Sequence, residues 1–419
     1  MKAVKFALTF FLLIPFFFFK IPKTSAVENP LVSPNNTSGI HIFDENDLQD
    51  AANLVNSSGG DWGYVTIVIR KDEQDTKRWQ RVFDKMRRLH LIPLVRIATQ
   101  QQEGGWEKPS FDEIDGWVSF LNSLNWVIKN RYVIVGNEPN HATEWGSNVN
   151  PEEYAEYLYM LATGLKRESE DFFIMPAGLD ASAPNKNNHL GEDMFIRRMF
   201  QDRPEVFELI DGWTSHSYPN PDFSGSEKDT GRGTVKTFDW ELSFLKSLGI
   251  DKIYPVFITE TGWSHDMDEK TNGNKKVGSV SESITGAFRN AWKDDRIVAV
   301  TPFILNYQEP PFDVFSWKKK DGSFYDFYSE VQKMPKFKGK PIQIISGKII
   351  TVLVPQVIKR DDKLWGIAYA KNTGQTIWNR EEKTFITDNG KKIEIDYPIL
   401  SDIEPDSSGL VLFTILSSE

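Results

Sequence analysis

Apolar residues in the first three quarters of the chain gather into short, β-branched runs. These are GIHIF at 39, YVTIVIR at 64, LIPLVRIA at 91, YVIVGNEP at 132, FFIMPAGL at 172, IDGWTSHSY at 210, YPVFITETGW at 254 and VAVTPFILNY at 298. Near-continuous apolar runs of this length suit strands buried on both faces. Between them lie segments of helical spacing. Trp79, Val82, Phe83, Met86 and Leu89 share one face of 76–90, and a third helix from about Ser281 turns Ile284, Phe288, Ala291 and Trp292 inward. A helix beginning at NPEEY has Asn150 as its cap, Pro151 in its first turn and Glu153 at the capping-box position, and Tyr154, Tyr157, Leu158 and Leu161 continue its stripe. Eight strands alternating with helices predict an α/β fold, a (β/α)8 TIM barrel over residues 27–335. An open doubly wound sheet is the competing architecture. It would usually carry a glycine-rich phosphate turn after its first strand, and neither GxGxxG nor a Walker-type lysine loop occurs.

The pattern changes after KMPKFKGKP at 333–341, where Pro, Gly and Lys collect in a predicted linker. Beyond it, IISGKIITVLV, KLWGIAYAKN, TIWN, KTFITD and GLVLFTIL read as short strands divided by turns, which predicts a small all-β sandwich domain over 342–419. YAKNTGQTIWN resembles the Trp-bearing immunoglobulin-like domains appended to extracellular and other multidomain proteins. Packing against the larger domain is the default role expected of it.

Composition narrows the partners. A formal net charge of −10 without a long basic run disfavours nucleic acid and favours an uncharged ligand, for which 13 Trp, 12 Tyr and 29 Phe supply stacking surfaces. The chain has no cysteine, so disulfides, thiolate nucleophiles and Cys-based metal sites are excluded. Its six histidines, at 41, 90, 141, 189, 216 and 265, are scattered without a His-x-x-x-His pair, so neither a metal nor a cofactor is expected, and no GxSxG elbow points to a serine hydrolase. At the N-terminus Lys2 and Lys5 precede the apolar run FALTFFLLIPFFFF, and TSA ends at Ala26. Residues 1–26 therefore read as a secretory signal peptide, too short in its apolar part for a stable membrane span, and the mature chain is expected to be secreted or at the cell surface. NNTS at 35–38 and NSS at 56–58 match glycosylation acceptors.

Two of the apolar runs end in a carboxylate. Glu138 follows VIVGN and precedes Pro139, and Glu260 closes VFIT. An unpaired buried charge is costly, so a strand-end glutamate needs a partner, a ligand or a role. In a barrel these ends build the functional face. Glycoside hydrolysis uses such a pair, one acid to protonate the departing oxygen and one carboxylate to attack carbon or activate water. Over residues 39–320 the chain resembles the clan A glycoside hydrolases, retaining barrels with NEP closing strand four and a second Glu closing strand seven. The resemblance implies that Glu138 is the general acid/base and that Glu260, in TETGW, is the nucleophile. It implies further that Asn137 binds the 2-hydroxyl, that His216 in SHSY lines the sugar site, and that Tyr218 hydrogen-bonds the nucleophile. An arginine beside the nucleophile is also implied, with Arg70 and Arg96 both placed for it. Trp145, Trp263 and Trp317 are the sugar-stacking candidates.

The expected function is a secreted retaining β-glycosidase acting on a poly- or oligosaccharide by double displacement. A catalytically inactive carbohydrate-binding or cell-surface protein on the same barrel, and a transglycosylase, are the alternatives.

Overall fold

The computed structural model describes residues 27–266, 275–353, 364–381, 383–388 and 391–415. The expected signal peptide, 1–26, lies outside them. Each of the eight apolar runs contains a strand: β1 Gly39–His41, β2 Gly63–Arg70, β3 Leu91–Ala98, β4 Arg131–Val135, β5 Phe172–Pro176, β6 Trp213–His216, β7 Val256–Glu260 and β8 Ile297–Val300. All pair in parallel, as β1-β2-β3-β4-β5 in one sheet and β6-β7-β8 in another. Single parallel bridges relate the edges of the two sheets, Ser38 to Val300 beside β1 and β8, and Asp180 to His216 beside β5 and β6. The sheets thus follow one another in sequence order, and the fold is α/β.

Helices α1 Leu48–Val55, α2 Thr76–Arg88, α3 Ile114–Ser123, α4 Pro151–Glu168, α5 Glu192–Asp202, α6 Glu205–Leu209, α7 Thr237–Ser247, α8 Val277–Arg289 and α9 Asp326–Lys333 intervene or follow. Helix α4 begins as its sequence demands, with the Asn150 side chain accepting from the Glu153 amide at 3.1 Å. The Glu153 carboxylate does not close the capping box; it accepts from Trp145 Nε1 at 3.1 Å and from Lys108 at 2.8 Å. Helix α2 buries Trp79, Val82, Phe83 and Met86 as expected, and its cap, Asp75, accepts from the amides of Lys77 and Arg78. Strands and helices enclose one continuous apolar core, from Ile40 to Val331.

Five C-terminal strands, β9 Gly347–Leu353, β10 Leu364–Asn372, β11 Thr384–Asp388, β12 Lys391–Pro398 and β13 Ser408–Ile415, form a single antiparallel sheet of order β9-β10-β13-β12-β11. The expected two-sheet sandwich is therefore one sheet among the described residues. It bends so that β9 approaches β11, and it surrounds a separate core of Ala368, Ala370, Trp378, Ile386, Ile395, Val411 and Phe413. Alternation along a strand specifies which face is apolar but not whether sheets pair or one sheet curls. The predicted linker is pinned to the larger unit through Lys340 N to Pro34 O at 2.8 Å and Gly339 N to Asp61 O at 2.9 Å. The acceptor asparagines are likewise occupied. Asn35, Asn36 and Asn56 donate their side-chain amides to the carbonyls of Val298, Val55 and Leu89, and Asn36 is buried. Among the described residues no helix is long and apolar enough to cross a membrane.

Candidate active site

The ends of β1, β3, β4, β6 and β7 bring their polar residues to one place. Beyond β4 the chain turns sharply, with Gly136 at φ +88° and Glu138 at φ +32°. A non-glycine residue in that region is strained and is held there by its surroundings. Here the Glu138 amide donates to Gly178 O at 3.1 Å and its carbonyl accepts from His141 N at 2.9 Å. Its carboxylate meets His216 Nδ1 at 2.7 Å. This ring packs so tightly over Gly178 that a Cβ there would fall 2.2 Å from His216 Cδ2.

Glu260, the last residue of β7, is only 7% exposed. It takes a hydrogen bond from Arg96 Nη1 on one oxygen and from the Tyr218 hydroxyl, 3.1 Å away, on the other. Burial works to raise its pKa, yet the charges of His216 and Arg96 prevail and hold it down to about 2. Tyr218 stays protonated because burial and the Glu260 charge both push its pKa up, so its O–H remains a donor. For His216, burial favours the neutral ring, but Glu260 and Glu138 outweigh it and raise its pKa. Single oxygens of Glu138 and Glu260 and a ring nitrogen of His216 lie within 4.8 Å of one another. Such spacing would also admit a metal ion, but Arg96 already places a fixed cation against Glu260.

Of the two arginines, the structure selects Arg96. The register of β2 on β3 puts Arg96 opposite Val68 and Arg70 opposite Ala98, so Arg70 lies two residues nearer the rim. From there its guanidinium turns to Asp72 at 3.1 Å and Glu73 at 3.5 Å in its own loop, away from Glu260. Asn137 is fixed from both sides. Arg96 Nη1 donates to its Oδ1 at 2.7 Å, and its Nδ2 donates to Glu144 at 3.1 Å. A guanidinium cannot accept and a carboxylate oxygen does, so this amide has one orientation, with its second N–H left for a ligand.

The three tryptophans are not platforms. Trp145 is buried, donating to Glu153 and walling a cleft shared with Arg96, Asn137, Glu144 and Tyr157. Trp263 is buried with its Nε1 on Gly225 O at 2.8 Å, and Trp317 is buried with its ring 5.2 Å from Phe327.

Two site residues escaped the sequence reading. His41, at the end of β1, lies 3.8 Å from Glu260 and has no hydrogen-bond partner on either ring nitrogen among the described residues. Burial and the nearby Arg96 lower its pKa to about 3, so it faces Glu260 as a neutral ring. Its polar character inside the apolar run GIHIF was the available signal. Glu144 sits six positions beyond Glu138, at the end of the short 3-10 turn Ala142–Glu144, and carries no such signal. Burial, and after it the charge of Glu138, raise its pKa to about 7.

No protein-family model matches the sequence, and no curated protein does. Similarity appears among solved structures. A glucosidase from Croceicoccus marinus aligns over 92% of this chain and 83% of its own at 10% identity, with a TM-score of 0.50. A monomeric β-xylosidase from Caulobacter crescentus CB15 aligns over 94% and 98% at 11% identity with a TM-score of 0.48, and a mannanase catalytic domain from Streptomyces sp. SirexAA-E over 80% and 95% at 14% identity with a TM-score of 0.45. These structural neighbours are glycoside hydrolases, and the similarity to the glucosidase is one of fold.

Proposed function

We propose that residues 27–335 form a closed (β/α)8 barrel and that the protein is a secreted glycoside hydrolase, cleaving O-glycosidic bonds of a poly- or oligosaccharide with retention of configuration. The observation that carries this reading is the approach of Glu138 and Glu260 to within 4.8 Å. Inverting enzymes hold their carboxyl groups roughly 6.5–9.5 Å apart to admit a water between them, whereas retaining enzymes need about 5–5.5 Å. The environments divide the roles. Glu260, kept ionised by Arg96, His216 and Tyr218, attacks the anomeric carbon as the bond to the leaving oxygen breaks. Glu138, in its acid form, gives that oxygen its proton. Water then attacks the glycosyl ester, Glu138 takes the water's proton, and Glu260 departs as a carboxylate. Asn137, held by Arg96 and Glu144, offers its free N–H to a sugar hydroxyl.

The test is a screen of the full-length protein on plant and microbial polysaccharides and on aryl β-glycosides, with the anomeric form of the first product followed by proton NMR. A product that keeps the β configuration, and loss of turnover by at least about a hundredfold in Glu260→Gln and in Glu138→Gln, are expected. Undiminished hydrolysis by Glu260→Gln, or an inverted product, overturns the reading.

A further inference from the structure

With the tryptophans buried, the aromatic surface at the mouth is made by other residues. The rings of Phe43, Phe312 and Phe223 are 57%, 45% and 37% exposed, unusually high for phenylalanine. They belong to one row. Phe43 meets Tyr307 at 5.5 Å, Tyr307 meets Phe312 at 5.9 Å, and Phe312 meets Phe303 at 5.5 Å. Phe303 meets Phe315 at 5.9 Å, and Phe315 meets Phe223 at 5.1 Å. All are edge-to-face contacts, the geometry in which aromatic rings support one another.

The row reaches the nucleophile twice. Phe223 touches Tyr218 at 5.0 Å, and the Tyr218 hydroxyl is on Glu260. Phe303 touches His41 at 5.2 Å, and His41 lies beside Glu260. These rings rise from the loops after β1, β6 and β8. The polar ligand-facing groups, Arg96, Asn137 and Glu144, come instead from β3 and the loop after β4. The mouth therefore has a polar half and a hydrocarbon half.

Two amide side chains within the aromatic loop, Gln308 and Asn306, are spent internally. Gln308 donates to Asn306 Oδ1 at 2.8 Å and to Lys318 O at 3.0 Å, and Asn306 donates to Asp47 at 3.2 Å. A second sugar laid on the ring faces themselves would set hydroxyls against hydrocarbon, and an unpaired hydroxyl is costly to desolvate. A hydrocarbon group loses nothing by the exchange.

We propose that the row from Phe43 through Phe312 to Phe223 is a binding site for an apolar aglycone, so that the substrate is a glycoside of an alkyl, aryl or lipid alcohol with its sugar in the polar half. This rests on the proposed glycosidase reading only for the placement of the sugar.

The experiment compares the affinities of the full-length protein for methyl and n-octyl 1-thio-β-glycosides of glucose, xylose and mannose, by titration calorimetry below the micellar concentration. The tetrasaccharides of the same sugars are measured alongside, and all are repeated with Phe312→Ser and Phe223→Ser. Phe43→Ser, at the outer end of the row, replaces any variant that melts early. For at least one sugar the octyl compound should bind about tenfold or more tightly than the methyl compound, and the serine variants should bring that octyl-to-methyl ratio most of the way toward one. An affinity that grows with the number of sugar units and falls in the serine variants overturns the proposal, as does an octyl gain indifferent to the substitutions or no binding at all. Hydrolysis is scored separately. Octyl binding without turnover of the O-glycosides on any sugar keeps this site and refutes the glycosidase reading, while turnover without an octyl preference does the reverse.

Discussion

Removing Arg96 should change the pH at which Glu260, the proposed nucleophile, takes up a proton. Glu260 is buried, and burial alone would raise its pKa from an ordinary 4.5; instead it is held down to about 2, with Arg96 contributing both charge and a hydrogen bond. Stripping one partner from a buried ion pair costs roughly 3–5 kcal/mol, because the remaining charge is uncompensated. A carboxylate can relieve that cost by binding a proton, and one pKa unit is about 1.4 kcal/mol, so the expected rise is roughly 2–4 units. In Arg96→Met the Glu260 pKa should therefore climb from about 2 to between about 4 and 6. Since only the ionised form attacks, kcat/KM on an activated aryl glycoside should fall on the acid side through that higher pH, whereas Glu260 in the wild type imposes no loss above about pH 3. Arg96→Lys, which keeps a charge but not the fork, should shift the limb less. Activity near neutrality will also drop, because Arg96 holds Asn137, so the position of the acid limb is the diagnostic readout. An Arg96→Met profile whose limb superimposes on the wild type would show that Arg96 does not set the ionisation of Glu260.

Two further outcomes follow from packing and from linkage. Gly178→Ala would place a methyl 2.2 Å from His216 Cδ2, so the ring must move from Glu138; kcat/KM should fall at least about tenfold, with an overpacking loss of about 1–3 kcal/mol in denaturant unfolding, and a silent substitution would contradict the contact. Glu144 has a folded pKa of about 7 against an ordinary 4.5, raised first by burial and then by the charge of Glu138, so between those values the native state binds a proton that the unfolded chain has released. Stability should accordingly decline as pH rises from about 4.5 to 7, by at most about 3 kcal/mol, and Glu144→Gln should flatten that slope in unfolding measured at pH 5 and pH 8.

The strands were legible because burial on both faces leaves an unbroken apolar run, and all eight runs hold one. Glu138 and Glu260 were legible for the complementary reason that a carboxylate closing such a run is conspicuous. The choice between Arg70 and Arg96 was not, since both point from a strand toward the same end and only the β2–β3 register sets which lies deeper. The tryptophans misled because a bulky ring just after a catalytic residue in sequence has no obligation to face the cleft. Trp263 turns to Trp292, 6.2 Å away, and Trp145 to Tyr154 at 5.4 Å. The aromatic row could not be read at all, because its members come from loops some 80 to 270 residues apart and loop conformation carries no periodicity.

What the sequence could not foretell is how two glutamates so close together become different. Like charges this near resist joint ionisation, so the site must favour one of them. The fold does so by depth and by donors. Glu260 ends a strand in the interior, where a guanidinium, a phenol and an imidazole converge and little water competes. Glu138 stands beyond its strand on a strained turn, more exposed, and its side-chain partner among the described residues is a histidine that can serve as donor to a carboxylate or acceptor from an acid. The proposed acid/base, which loses and regains a proton in each cycle, needs that ambivalence, and the proposed nucleophile must not have it. The single ring of His216, 2.7 Å from Glu138 and 3.8 Å from Glu260, couples the two: proton gain at the first moves positive charge toward or away from the second. Gly178 leaves the room that this ring needs beside Glu138.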